Sequence, residues 1–158
     1  MNYARGLAAG LVGLAVLWPA RPGGAQETKQ KVFRTVSSEF VEKILEGMDI
    51  AYKKTAGKKE GTFFYDFERN NYKVRLGNHG GKDLWIDAVF NKAPLATINQ
   101  WNVRAKFSRA VLAKEGDRET AIVEAQLDCL GGVTEGVIRQ FIRRFDDEVR
   151  EFDKFVSK

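Results

Sequence analysis

The chain has 158 residues, 26 lysines and arginines against 21 aspartates and glutamates, a single histidine and a single cysteine. Bases and acids are interleaved, so the formal charge of +5 spreads into a weak field and nucleic acid is excluded as an expected partner. One cysteine excludes an intrachain disulfide, and one histidine excludes the usual multi-histidine metal site.

Arg5 and the free amino end form a short positive region, Gly6 to Trp18 is an uninterrupted apolar run of 13 residues, and Gly23 and Ala25 are small. That pattern predicts a secretory signal peptide over residues 1–25, cut between Ala25 and Gln26. The run falls short of the roughly 20 residues that cross a bilayer as a helix, so no membrane span is expected after cleavage. A cut after Ala20 would put Trp18 three residues upstream, against the small-residue rule. The mature chain would then have 133 residues and a formal charge of +3, since the leader holds Arg5 and Arg21 and no acid. That is the size of one ordinary domain, with a periplasmic or secreted location. No lipobox cysteine is present, and Cys129 reads as a small half-buried residue at a strand end.

Residues 26–36 are expected as a flexible N-terminal tail and 37–158 as the folded domain. Ser38 is a plausible N-cap for a first helix, in which Phe40, Val41, Ile44, Leu45 and Met48 recur at helical spacing. Ile50 to Lys54 reads as a short strand and Ala56 to Gly61 as a loop. An antiparallel meander follows. A turn at Asn70-Asn71 sets Phe67 against Val74 and Tyr65 against Leu76 on one face, and Glu68 against Lys73 and Asp66 against Arg75 on the other. A loop at Gly77 to Gly81 is expected to pair Val74 with Leu84 and Tyr72 with Ile86, and to bring Asp83 opposite Arg75. The result is a sheet with one apolar face and one charged face.

Pro94 fits the first turn of a short second helix carrying Leu95, Ile98 and Trp101. A second hairpin turns at Gly116-Asp117, setting Lys114 against Glu119, Arg109 against Glu124, and Leu112 and Ala110 against Ala121 and Val123. Thr134 then caps the strongest helix, whose apolar stripe runs Val137, Ile138, Phe141, Ile142, Phe145, Val149, Phe152, Val156. Its polar face offers Arg143 with Asp147, Arg144 with Glu148, and Asp146 with Arg150. The reading is a single α+β domain: an antiparallel sheet of about five strands, a three-strand meander plus a hairpin, with helices packed on it in the order α-β-β-β-α-β-β-α.

Phe64-Tyr65-Asp66, Tyr72 to Leu76, Lys82 to Phe90, Ile98 to Asn102, Phe107 to Ala110 and Gly131 to Thr134 stand in an order that resembles the YbjN family of bacterial proteins. The resemblance covers nearly all of residues 38–156. It implies a fold like that of type III secretion chaperones, and a homodimeric domain that holds a protein or peptide partner on its surface. The family is labelled as sensory transduction regulators, a label that names no reaction and brings no catalytic residue. The leader departs from the family's cytoplasmic members.

Catalytic constellations are thin. His79, in Gly77 to Gly81, reads as a surface loop residue, and the glycines around it lack the strand-to-helix context of a phosphate loop. Asp66, Asp83 and Arg75 converge as a cross-strand ion cluster rather than an acid/base pair. The Arg139, Arg143 and Arg144 group is followed by acids and reads as a solvated face. Phe63, Tyr65, Phe67 and Tyr72 read as core under a helix, although they could line a cavity. Asp87 stands beside Trp85 on the polar face, where an exposed tryptophan marks an interface.

Asn99, Trp101 and Asn102 could bind an extended peptide, or could cap the second helix and fill the core, and Trp101 continues the apolar spacing. The expectation is therefore an exported, non-enzymatic, homodimeric binding protein without metal or cofactor. Its partner-binding residues would be Trp85, Asn99, Trp101 and Asn102, working by strand-edge or groove capture with the two tryptophans as anchors. The rivals are a carrier of a small apolar ligand and a hydrolase acting through Asp66, Asp83 or Asp87.

Overall fold

Alternating apolar and polar side chains over residues 62–90 force three long strands to bury one edge of every pleat, and the fold is built around them. The computed structural model describes residues 31–91 and 93–157; the leader and its cut lie outside the described residues. In chain order the elements are β1 (Val32–Phe33), α1 (Ser38–Glu46), β2 (Tyr52–Ala56), β3 (Thr62–Arg69), β4 (Tyr72–His79), β5 (Asp83–Phe90), α2 (Leu95–Arg104), β6 (Arg109–Glu115), β7 (Arg118–Asp128), β8 (Val133–Thr134) and α3 (Glu135–Val156).

Six strands form one antiparallel sheet in the order β2-β3-β4-β5-β7-β6, and β1 pairs with β8 in a separate two-stranded sheet. The architecture is the expected α+β one, with six strands in the main sheet where about five are expected and a small clasp besides. Val74, Leu76, Leu84, Ile86, Val123 and Ala125 point to one face, and there they meet Ile44 of α1 and Ile138, Phe145 and Phe152 of α3 in a single apolar core. The aromatic residues of β3 belong to it: Tyr65 and Phe67 are buried, and Phe63 and Tyr72 pack against its rim.

Both hairpin turns marked by asparagine or Gly-Asp stand where expected. Asn70 and Asn71 have φ of 52° and 68°, the backbone a two-residue turn of this hand demands, and the Asp66–Arg75 and Glu68–Lys73 pairings follow. Gly116, at φ 60°, sets Arg109 opposite Glu124 and Lys114 opposite Glu119.

The β4–β5 connection differs. Gly77 and Asn78 continue the strand, the chain turns at Gly80 and Gly81 instead, and Val74 pairs with Ala88, Leu76 with Ile86 and Arg75 with Asp87. Two tertiary contacts explain it. Asn78 is buried, where it donates to the Val36 carbonyl at 2.8 Å and accepts from the Gly81 N–H at 2.8 Å. Gly77 lies under aromatic rings, where a Cβ would meet the Trp85 ring at 3.0 Å and press on its neighbours. The four-residue slip is even, so the apolar face survives while each charged partner changes.

Smaller corrections follow the same logic. Ser37, not Ser38, caps α1, accepting from the Phe40 N–H at 3.2 Å. Within the segment expected as a tail, Val32 and Phe33 pair with Thr134 and Val133, and Val36 is buried, with its N–H on the Gly81 carbonyl. Asp146 is not on the solvated face of α3: it is buried and ion-paired with Arg69 at 3.1 Å, while Arg150 turns to Asp147. Thr134 caps α3 as expected, accepting from the Val137 N–H.

Candidate functional site

With the helices on one side, β3, β4, β5 and β7 present their other face to solvent, and the pairing brings one charged side chain from each of six strands into a single row. Reading across, Lys53 stands opposite Asp66, Asp66 opposite Arg75, Arg75 opposite Asp87, Asp87 opposite Glu124, and Glu124 opposite Arg109. Arg75 gives one guanidinium edge to Asp66, Nε at 2.7 Å and Nη2 at 3.2 Å, which pushes its own pKa further up. Arg109 donates to one oxygen of Glu124 at 2.6 Å, and the indole N–H of Trp85 donates to the other at 3.2 Å.

Asp87 is left over. It is 7% exposed, and its Oδ1 is buried without a hydrogen-bond partner among the described residues. Burial pushes its carboxyl up to about 6; the Arg75 charge pulls the other way, and Glu124 and Asp66 add to the rise. It lines an open groove of about 450 Å³ with Asp66, Glu68, Lys73, Arg75 and Val89.

Beside this row is an aromatic cluster. Phe64 of β3, His79 of β4 and Trp85 of β5 lean together, with ring centroids 6.1 Å apart for Phe64–His79 and 6.3 Å for His79–Trp85. Gly77 is their floor, since a Cβ there would come within 3.0 Å of the Trp85 ring and 3.2 Å of His79 Nε2. His79 is thus the last residue of a strand, exposed and held among rings, rather than part of a loop. Asp83, Gln126 and these three rings border a shallow depression.

The four residues expected to bind a partner do not converge. Trp85 is half-buried on the open face. Trp101 is 3% exposed, edge-on to Phe152 at 5.1 Å and against Phe155 at 5.7 Å, so its indole fills the core and has no face to give. Asn102 fastens β6, accepting from the Ala110 N–H and donating to the Ala110 carbonyl. Asn99 is exposed on the far side of α2. Of the three carboxylates weighed for a hydrolase, Asp66 and Asp87 flank Arg75, whereas Asp83, expected in the ion cluster with Arg75, sits opposite His79 and Asp128.

Sequence reasoning did not single out His79 with Phe64, or the isolation of Asp87. The signal was the misread Gly77: with Gly77 in a strand, rings two strands apart can close over it.

Cys129 is buried and its thiol is pushed up to about 11, mainly by burial, which makes it an inert core group. Among the described residues no cluster of three or more His, Cys, Asp or Glu could hold a metal ion, and no described helix is long and apolar enough to cross a membrane.

Residues 39–158 match the YbjN family, described as "Putative bacterial sensory transduction regulator". No curated protein matches the chain in sequence. Among solved structures, the chain is similar to that described as "Crystal structure of YbjN, a putative transcription regulator from E. coli", with a TM-score of 0.65, 11% identity, and coverage of 77% of this chain and 91% of that one. At that identity the likeness is one of fold.

Proposed function

The chain belongs to the YbjN family, and on that premise we propose that it is an exported, non-enzymatic regulatory module that holds a protein or peptide partner on the open face of its sheet. The observation that carries this reading is the aromatic cluster of Phe64, His79 and Trp85 over Gly77. Three rings on an uncovered sheet face, the largest locked by its N–H on Glu124, form a preorganised contact surface that loses little side-chain freedom on binding. Trp85 is the anchor. The acidic residues around it make the surface a poor match for a polyanion such as nucleic acid. Asn102 occupies part of the β6 edge at Ala110, so the sheet face is favoured over strand-edge capture.

Self-pairing belongs to the same proposal. Leu95 and Val103 on α2 are 62% and 89% exposed, and they offer apolar surface on an element away from the aromatic cluster. Light scattering of the mature chain reads its mass directly.

The test of the main reading is partner capture from the exporting compartment by wild-type and Trp85→Ala chains. Loss of a defined partner by the variant, with an unchanged melting temperature, supports the reading; equal capture removes it.

A further inference from the structure

On β5 the outward-facing residues run Asp83, Trp85, Asp87, and this stripe crosses the centre of the open face. Neighbouring members stand roughly 6.7 Å apart, as any residues i and i+2 of a strand do. The bases in the cross-strand row and beside it stand against acids: Arg75 is bonded to Asp66 and Arg109 to Glu124, Lys73 stands opposite Glu68 and Lys53 opposite Asp66. Arg75 stands opposite Asp87 and His79 opposite Asp83, but both Arg75 hydrogen bonds go to Asp66, and no ion pair to a β5 carboxylate is present among the described residues. Asp83 makes no side-chain ion pair or hydrogen bond among the described residues, and Asp87 keeps a buried oxygen without a partner.

Asp128, across from Asp83, adds a third acid whose one side-chain hydrogen bond among the described residues comes from the Leu130 N–H. A chain with a formal charge of +5 thus gathers beside the Trp85 ring three acids that make no ion pair among the described residues. A buried, unpartnered carboxylate costs stability, and such costs persist where a ligand relieves them.

We infer that the Asp83–Trp85–Asp87 stripe seats the cationic side chains of a basic peptide segment, with a guanidinium or ammonium on the Trp85 face and carboxylates on either side of it. This rests on the reading above that the open face is the binding surface. Cation–π contact favours the arrangement, and the face already tolerates a guanidinium over a ring, since Arg75 lies 5.5 Å from the Phe64 centroid. A segment with bases at alternate positions, lying along β5, matches the spacing of the stripe.

The test titrates the mature chain with three synthetic heptapeptides alternating glycine with arginine, with glutamate or with serine, read by calorimetry and by the change in tryptophan fluorescence that Trp85→Phe removes. The arginine peptide alone should bind, more weakly as salt rises, and the Asp83→Asn/Asp87→Asn chain should lose at least about tenfold in affinity. Circular dichroism checks the fold of the double variant; Asp83→Asn alone, at a half-exposed position, serves if the double variant is unfolded. Equal binding of the glutamate or serine peptide overturns the inference and leaves the proposed function standing. Arginine-peptide binding unaffected by the substitutions overturns it as well. Failure of all three peptides, together with partner capture that ignores Trp85→Ala, overturns both readings. A concentration-dependent mass that Asp83→Asn abolishes would show the stripe to be covered by a second copy and also overturns the inference.

Discussion

Asn102 and Ala110 are joined like two residues of adjacent strands: the Asn102 Oδ1 accepts the Ala110 N–H at 2.7 Å and its Nδ2 donates to the Ala110 carbonyl at 2.9 Å. The last turn of α2 thereby supplies a one-residue extension of the sheet and holds the start of its edge strand. Asn102→Ala leaves both main-chain groups to water and should destabilise the protein by about 1–3 kcal/mol. Asn102→Asp keeps the acceptor and should lose less. Urea denaturation of the two variants measures the order.

The two tryptophans should separate cleanly. Trp101→Ala empties a buried site against Phe152 and Phe155 and is expected to cost about 3–5 kcal/mol. Trp85→Ala, on the open face, should change stability by less than about 1 kcal/mol while abolishing partner capture. Thermal melts beside binding assays show whether one tryptophan is structural and the other functional.

Asp87 makes stability depend on pH in a direction opposite to most carboxylates. Its folded pKa is raised from 3.8 to about 6, so the folded protein holds the proton more tightly than the unfolded chain. The contribution is most favourable below about pH 4 and is lost as pH rises to about 6, a swing on the order of 3 kcal/mol. Asp87→Asn should flatten that part of the stability profile and raise stability at neutral pH. Denaturant midpoints across the range test it; a variant as steep as wild type would assign the slope elsewhere.

Arg69 and Asp146 tie β3 to α3. The carboxylate is buried and its pKa is raised by burial against the opposing pull of Arg69, so removing the base strands an acid in the core. Arg69→Ala is expected to destabilise by about 2 kcal/mol or more, and Arg69→Ala with Asp146→Asn should recover part of the loss. A double-mutant cycle at neutral pH gives the coupling.

How much of this could be read in the chain depended on whether the deciding interaction was local. The Asn70-Asn71 and Gly116 turns carry their backbone requirement in adjacent residues, so both registers, and with them the Asp66–Arg75 and Arg109–Glu124 pairs, follow from sequence. The apolar stripe of α3 has the same transparency from Ile138 to Phe152, whereas Val137, expected at its start, is 44% exposed. Gly77-Asn78 looked like a turn and was not one, because its residues are selected by rings on the two neighbouring strands and by the Val36 carbonyl. That misreading moved the partner of Arg75 from Asp87 to Asp83. Asp146 repeats the lesson: its helical neighbours suggested Arg150, and its partner stands 77 positions earlier in the chain.

The clasp of Val32–Phe33 on Thr134 and Val133 has a kinetic side. Residues more than a hundred positions apart must meet to make it, and α3, which roofs the sheet, is the last element synthesised. Until the carboxyl-terminal helix arrives, the emerging polypeptide has strands without a lid and a first segment without a mate. These long-range pairings form only after the intervening chain has been made. A nascent chain of this design closes its core only when translation is almost over.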